Sequence, residues 1–111
     1  MKLIYGLSAV MLGTASLHSF AGSQIGTVGS VIVRASDGLT YFTLIGAPKS
    51  DSPACAKIGY WMIKDENSEV GKKQYAMVLA AQASGRELTV VGMNSCTRWS
   101  DGEDVNWMQL K

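Results

Sequence analysis

Two cysteines, Cys55 and Cys96, lie at the two ends of a strand–helix–strand pattern and constrain the fold more than any other feature. They are the only 2 cysteines in the chain. In a small exported domain, such a pair is expected to form a disulfide. Closing a loop of this length should stabilise the fold by about 4 kcal/mol on the chain-entropy model. A reactive or metal-binding thiol pair is the alternative, but no Cys-x-x-Cys spacing supports it.

Residues 1–21 have the pattern of a secretory signal peptide. Lys2 supplies the positive start, residues 3–17 are mainly apolar, and Ser19-Phe20-Ala21 places small residues where a signal peptidase recognises them. The apolar run is short for a membrane span and is interrupted by glycine and serine. We therefore expect cleavage after Ala21, a single domain over residues 22–111, and a secreted or periplasmic protein with no membrane span in the mature chain.

Loss of this leader would narrow the chemistry of the mature chain. The only histidine, His18, leaves with it, so Ser–His and Cys–His nucleophilic pairs are excluded. Lys2 also leaves, and 9 of the 10 basic residues then balance the 9 acidic ones. A net charge of zero favours neither nucleic acid nor an anionic membrane as partner. We expect a non-enzymatic protein with no catalytic residue, metal or cofactor.

The coarse pattern is three strands, a helix and two further strands. The helix has Ser68 as its predicted N-cap and ends at Gly85, the residue best able to adopt a left-handed conformation. The order is that of a mainly β, five-stranded, OB-like Greek-key barrel, with the helix between strands three and four. A helix-on-sheet α+β sandwich is the competing fold. The predicted elements are strands 24–34, 39–45, 56–63, 88–93 and 105–110, and helix 69–84.

The predicted helix is apolar on more than one side, which indicates that more than one side is covered. Its bulky sector (Tyr75, Val78 and Leu79) is expected to pack on the sheet. A second sector is a candidate oligomer interface, or a surface covered by a loop. Alternatively, alanine is simply a tolerable surface residue in a helix. This alanine sector consists of Ala76, Ala80 and Ala83.

The loop over residues 97–104 is the candidate ligand-binding segment, because a tryptophan beside an arginine is followed by three carboxylates. Three interpretations remain open: a plain turn with Trp99 folded over the barrel end, a binding loop for a glycan or a protein, or a calcium site. The spacing does not match an EF-hand. An enzyme that uses carboxylates alone is a weaker hypothesis, with Asp101, Glu103 and Asp104 as its candidates and Asp65 and Glu66 as remote alternatives. The candidate ligand-binding residues are Arg98, Trp99, Asp101, Glu103 and Asp104.

The passage from helix to strand over residues 75–91, followed by Cys96, resembles small exported bacterial OB-fold proteins, including the B subunits of AB5-type toxins. Those subunits have a helix that ends at a glycine, a β-branched strand and one disulfide. The resemblance implies an OB barrel and a ring-shaped homo-oligomer that binds cell-surface glycans. No glycan-contacting residue of those subunits matches a position in this chain.

Two functional hypotheses follow for the whole chain. The first is an exported, non-enzymatic binding module that acts through the 98–104 loop on a glycan or protein ligand. The alternative is a periplasmic enzyme inhibitor or accessory protein that inserts loop 46–53 or loop 98–104 into its target. A small disulfide-bonded barrel suits that alternative, because preorganised loops lose less entropy on binding.

Overall fold

The computed structural model describes residues 21–111, so all of the predicted signal peptide except Ala21 lies outside the described residues. One helix and five strands form the domain, and no helix within residues 21–111 is long and apolar enough to cross a membrane. The elements are β1 (Ser23–Val33), β2 (Thr40–Gly46), β3 (Trp61–Met62), α1 (Glu69–Ser84), β4 (Leu88–Gly92) and β5 (Glu103–Leu110).

The strands close into a barrel in the order β1-β2-β3-β5-β4, with β4 pairing back onto β1. All neighbours are antiparallel except β3 and β5, which are parallel. The helix lies between β3 and β4 in the chain. The predicted OB-like barrel is therefore confirmed, and so is the disulfide between Cys55 and Cys96. This bond links the β2–β3 connection to the β4–β5 loop.

The third strand is much shorter than the predicted 56–63. Only Trp61 and Met62 pair with β2, at Phe42 and Tyr41. Just before them, the backbone N–H groups of Lys57 and Ile58 both donate to the carbonyl of Asp101, at 2.9 and 3.1 Å. The first half of the predicted strand is thus bound to the β4–β5 loop, and it cannot also pair with β2.

The core lies inside the barrel and under the helix. Its largest member, Trp61, is fully buried. The alternation along β2 directs Phe42 and Leu44 inward and leaves Tyr41 partly exposed on the outer face. The remaining core is mostly aliphatic: Val28, Ile63, Val78, Ala81, Leu88, Val90 and Val105.

The helix begins and ends as predicted. The Ser68 hydroxyl accepts a hydrogen bond from the Gly71 N–H at 3.0 Å, and Gly85 adopts the left-handed conformation at φ 67°. Within the helix, the buried side is a narrow stripe of Gly71, Gln74, Val78 and Ala81. The predicted bulky sector was partly wrong, because Leu79 is 40% exposed. The helix is rotated about its axis relative to the prediction, so that Gln74 faces inward. The Gln74 side-chain amide donates to the carbonyl of Asn106 at 3.0 Å.

The alanine sector lies on the outer side of this helix. Ala76, Ala80 and Ala83 are all exposed. No loop among residues 21–111 covers them, and the predicted oligomer interface stays a prediction.

Candidate ligand-binding surface

Two loops meet at one end of the barrel and form the candidate surface. The β1–β2 loop covers residues 34–39, and the β4–β5 loop covers residues 93–102. Nη2 of Arg98 donates to the backbone carbonyl of Asp37 at 2.8 Å and joins the two loops. In OB barrels, these two loops and the outer face of strands two and three bind oligonucleotides and oligosaccharides.

Three aromatic rings come together on this face. The ring centroid of Tyr41 lies 5.1 Å from that of Tyr60 and 5.3 Å from that of Trp99, and both pairs meet edge to face. Tyr41 reaches this position because it alternates with the buried Phe42 on β2. All three rings are partly exposed. We call Tyr41, Tyr60 and Trp99 the aromatic cluster.

An arginine from the first loop borders the aromatic cluster. The guanidinium carbon of Arg34 lies 5.1 Å from the centroid of the Trp99 ring, within the range of a cation–π contact. Arg34 also forms a bidentate ion pair with Asp37. Nε donates to Oδ1 at 3.0 Å, and Nη2 donates to Oδ2 at 2.6 Å. These hydrogen bonds from Arg34, with a further one from the Leu39 N–H, hold the pKa of Asp37 well below its ordinary value. The same pairing raises the pKa of Arg34.

Arg98 lies beside this cluster and also lines a cleft between the helix start and the loops. Its Nη2 donates to Oε1 of Glu66 at 2.7 Å, and both side chains are mostly buried. Nε of Arg98 is buried and has no hydrogen-bond partner among the described residues. The cleft has a volume of about 840 Å³, and the exposed side chains of Val70 and Met93 form part of its apolar lining.

Asp104 does not belong to the ligand-contacting surface, because it is fully buried. Its carboxylate accepts hydrogen bonds from the Ser95 hydroxyl, from the N–H and hydroxyl of Thr97, and from the Arg98 N–H, at 2.6 to 3.2 Å. Burial alone would raise the pKa of Asp104, but these hydrogen bonds outweigh it and lower the pKa. Asp104 therefore fixes the loop that carries Arg98 and Trp99.

Glu103 is likewise fully buried, although the sequence placed it in the ligand-binding set. Its carboxylate faces the residues just before β1 and just after β4, where Oε2 accepts from the N–H groups of Gly22 and Asn94. Alternation along β5 sends the neighbouring side chains of Glu103 and Asp104 in different directions. The two carboxylates thus leave the predicted ligand-binding set and cannot form a joint calcium site or a joint catalytic site.

Asp101 is partly exposed, at the tip of a tight turn closed by a hydrogen bond from the Gly102 N–H to the Trp99 carbonyl at 3.1 Å. Of the five predicted residues, Arg98, Trp99 and Asp101 are therefore the ones that remain partly exposed. Within residues 21–111, no three histidine, cysteine or acidic side chains are arranged to hold a metal ion.

No family model, curated protein or solved structure matches this chain.

Three site residues, Arg34, Tyr41 and Tyr60, were not singled out by the sequence, and Glu66 was named only as a remote alternative for an enzyme. Tyr41 had a usable signal, because its alternation with Phe42 placed it on the outer face of β2. Arg34, Tyr60 and Glu66 lie far from residues 97–104 in sequence, and only the closure of the barrel brings them together.

Proposed function

We propose that this protein is a non-enzymatic binding module for glycans, and that the aromatic cluster is its binding platform. The observation that carries the proposal is the meeting of Tyr41, Tyr60 and Trp99 on the outer face of β2, between the β1–β2 and β4–β5 loops. Aromatic rings supply a rigid apolar surface on which the C–H face of a sugar ring can stack. The phenol and indole groups add hydrogen bonds at the rim. The location agrees with the oligosaccharide face of OB barrels, an analogy of fold alone.

The charges around the aromatic cluster favour a neutral or weakly charged ligand over a nucleic acid. Proteins that bind single strands combine stacking rings with a positively charged groove that follows the phosphates. Here Arg34 is paired with Asp37, and Arg98 is paired with Glu66. The pairing compensates both guanidinium charges and still leaves N–H groups and carboxylate oxygens at the rim. Sugar hydroxyls, which both donate and accept, suit such a rim.

The aromatic cluster is also preorganised for binding. Asp104 fixes the loop that carries Trp99, Arg34 lies over the Trp99 ring, and the Cys55–Cys96 disulfide holds the segment before Tyr60 near that loop. A ligand therefore orders few side chains when it binds, which lowers the entropic cost of association. The resemblance to toxin B subunits points in the same direction and stays a resemblance.

A glycan array with two tryptophan variants tests the proposal. We expect the mature protein to bind a defined set of glycans and Trp99→Ala to lose about fivefold or more in affinity, with the stacking of a nucleic-acid base on one ring, worth about 1–3 kcal/mol, as the scale. Trp107→Ala is the matched control, because Trp107 is 48% exposed on β5, outside the aromatic cluster. Equal loss in both variants, or an unchanged Trp99→Ala profile, would contradict the proposal.

The same preparation distinguishes the alternative of an enzyme inhibitor or accessory protein. If the array shows no binding and the protein captures a single enzyme at one-to-one stoichiometry from periplasmic extract, the glycan proposal fails and the alternative is supported. Retention of that capture in Trp99→Ala would place the contact outside the aromatic cluster.

A further inference from the structure

The buried carboxylate of Glu103 has an incomplete set of partners. Oε2 accepts hydrogen bonds from the N–H groups of Gly22 and Asn94, at 2.9 and 3.1 Å. Oε1 is buried and has no partner among residues 21–111, and no cation of that range forms an ion pair with Glu103. An uncompensated buried carboxylate costs several kcal/mol. The Glu103 carboxylate therefore lacks a cation in ion-pair contact and further N–H donors among residues 21–111.

Gly22 is the residue placed to supply them. A Cβ atom on Gly22 would lie 2.3 Å from Oε1 of Glu103, and one on Gly92 would lie 1.9 Å from Oε2. Both glycines are thus in direct contact with the carboxylate and leave no room for a side chain. The nitrogen of Gly22 already lies at hydrogen-bond distance from Oε2, while Oε1 lies beside its α-carbon.

Gly22 also lies directly before β1, the first strand of the barrel. It is buried, and its carbonyl accepts from the Gly92 N–H at 2.8 Å. The next residue, Ser23, exchanges two backbone hydrogen bonds with Ser50, each 2.9 Å long. Ala21, one residue earlier, is only partly buried. The predicted cleavage position thus lies directly before a buried residue that donates to Glu103.

We propose that the Ala21–Gly22 peptide bond is a processing site and that the α-ammonium group released on Gly22 forms a buried ion pair with Glu103. A signal peptidase would hydrolyse the bond with one water. The water oxygen joins the Ala21 carbonyl carbon, which leaves as a carboxylate, and both water protons end on the Gly22 nitrogen. The new group carries a full positive charge and three N–H donors. One of them keeps the bond to Oε2, and the others are available to Oε1. Cleavage thus gives the buried carboxylate of Glu103 a positively charged partner.

Lys49 is a second cation whose charge interacts with that of Glu103. Its ammonium group lies 3.9 Å from the centroid of the Trp61 ring and has no hydrogen-bond partner among the described residues. Burial lowers the pKa of Lys49, and the charge of Glu103 opposes this. Any test by pH must therefore separate Lys49 from the α-amino group.

The first measurement is the intact mass of the full chain after export. The expected mass is that of residues 22–111 with one disulfide. A mature protein that begins at any other residue overturns the proposal.

The second measurement compares this protein with a variant that has one alanine inserted between Ala21 and Gly22 and keeps it after processing, as verified by mass. The insertion preserves the Gly22 N–H bond to Oε2 but moves the charge away. We expect the thermal midpoint to fall by roughly 12 °C or more, the scale for breaking a buried pair in a domain of this size. A purely structural role of the Gly22 amide predicts no change, and that result would also overturn the proposal.

Two further variants assign the effect. In Glu103→Gln, the alanine insertion should no longer change the midpoint. The parent protein should lose stability at alkaline pH, where the α-amino group of Gly22 gives up its proton. This loss should persist in Lys49→Met. The pKa of an unpaired α-amino group is about 7.7–8.0, and the ion pair should raise it in the folded protein. The stabilisation by the pair is then complete below the unpaired pKa and is lost as the pH rises through the folded-state pKa. Because burial lowers the pKa of Lys49, this residue by itself makes the protein more stable as the pH rises, so replacing it should not remove an alkaline loss. An alkaline loss that disappears in Lys49→Met would contradict the proposal. If Glu103→Gln does not fold, the alanine insertion and the mass measurement test the proposal without it.

Discussion

The indole N–H of Trp61 donates to Oε1 of Gln24 at 2.9 Å in the interior of the barrel. The amide nitrogen of Gln24 in turn donates to the carbonyl of Ala47 at 2.9 Å. Trp61 is fully buried, so its N–H group has no access to water. Gln24 therefore links the centre of the core to the loop that follows β2.

Replacing Gln24 by methionine should destabilise the protein by about 1–3 kcal/mol. The side-chain volume is nearly kept, but the Trp61 N–H is left buried without an acceptor. Urea unfolding followed by tryptophan fluorescence measures the change. Gln109→Met, at an exposed position of β5, is the control and should stay within about 0.5 kcal/mol. Equal stability of both variants would show that the hydrogen bond contributes nothing.

Gly71→Ala should destabilise the protein, although alanine is favoured over glycine in a helix by about 1 kcal/mol. A Cβ atom at this position would lie 1.9 Å from the carbonyl oxygen of Asp65 and 2.7 Å from its carbon, both backbone atoms. The first turn of the helix would have to move away, at a cost of about 2 kcal/mol or more. Thermal unfolding checks the sign. Gly59→Ala, which has open space around it, is the control. A higher midpoint for Gly71→Ala would contradict the close contact.

Asp104→Asn should lower stability at neutral pH by roughly 2–3 kcal/mol, because several hydrogen bonds to a charged carboxylate are weakened or lost. The pKa of Asp104 is lowered in the folded protein. Its contribution is therefore present above the unfolded pKa of about 3.9 and is lost as the pH falls through the folded value. The difference between parent and variant should narrow in acid. Asp101→Asn, whose carboxylate accepts no hydrogen bond in the structure, should leave the profile unchanged.

Removing the disulfide as Cys55→Ala with Cys96→Ala should destabilise the protein by about 4 kcal/mol on the chain-entropy model, given a sequence separation of 41. Chemical denaturation of parent and double variant measures it. Because the bond joins two loops and no strand, we expect the strand signal in far-ultraviolet circular dichroism to be retained below the transition. An unfolded double variant at neutral pH would show that the barrel depends on the crosslink.

Local signals in the sequence were sufficient for much of this fold. Ser68 and Gly85 marked the helix ends, because capping depends on a few adjacent residues. The alternation of β2 and the cysteine pair were equally local. The length of β3 was not predictable, because Lys57 and Ile58 bind the carbonyl of Asp101, more than forty residues away. The inward side of the helix was misjudged for a similar reason, since Gln74 finds its partner on β5.

The candidate surface was predicted only in part. Arg98, Trp99 and Asp101 lie where a binding loop would present them, but Glu103 and Asp104 look the same as surface carboxylates in the sequence. Their burial depends on N–H donors from Gly22, Asn94, Thr97 and Arg98, and such donors have no sequence signature. Composition alone therefore does not separate a carboxylate that binds a ligand from one that organises a loop.

The barrel closes through β3, which has only two residues, and these two residues pair with β2 on one side and β5 on the other. The ring of strands is thus interrupted by the loss of very few hydrogen bonds at this position. Trp61 is one of the two residues, so a partial opening there would bring water to the indole before the longer ladders separate. A red shift of tryptophan emission before the loss of β-sheet signal during unfolding would reveal this early opening at β3. Coincident changes in the two signals would argue against it.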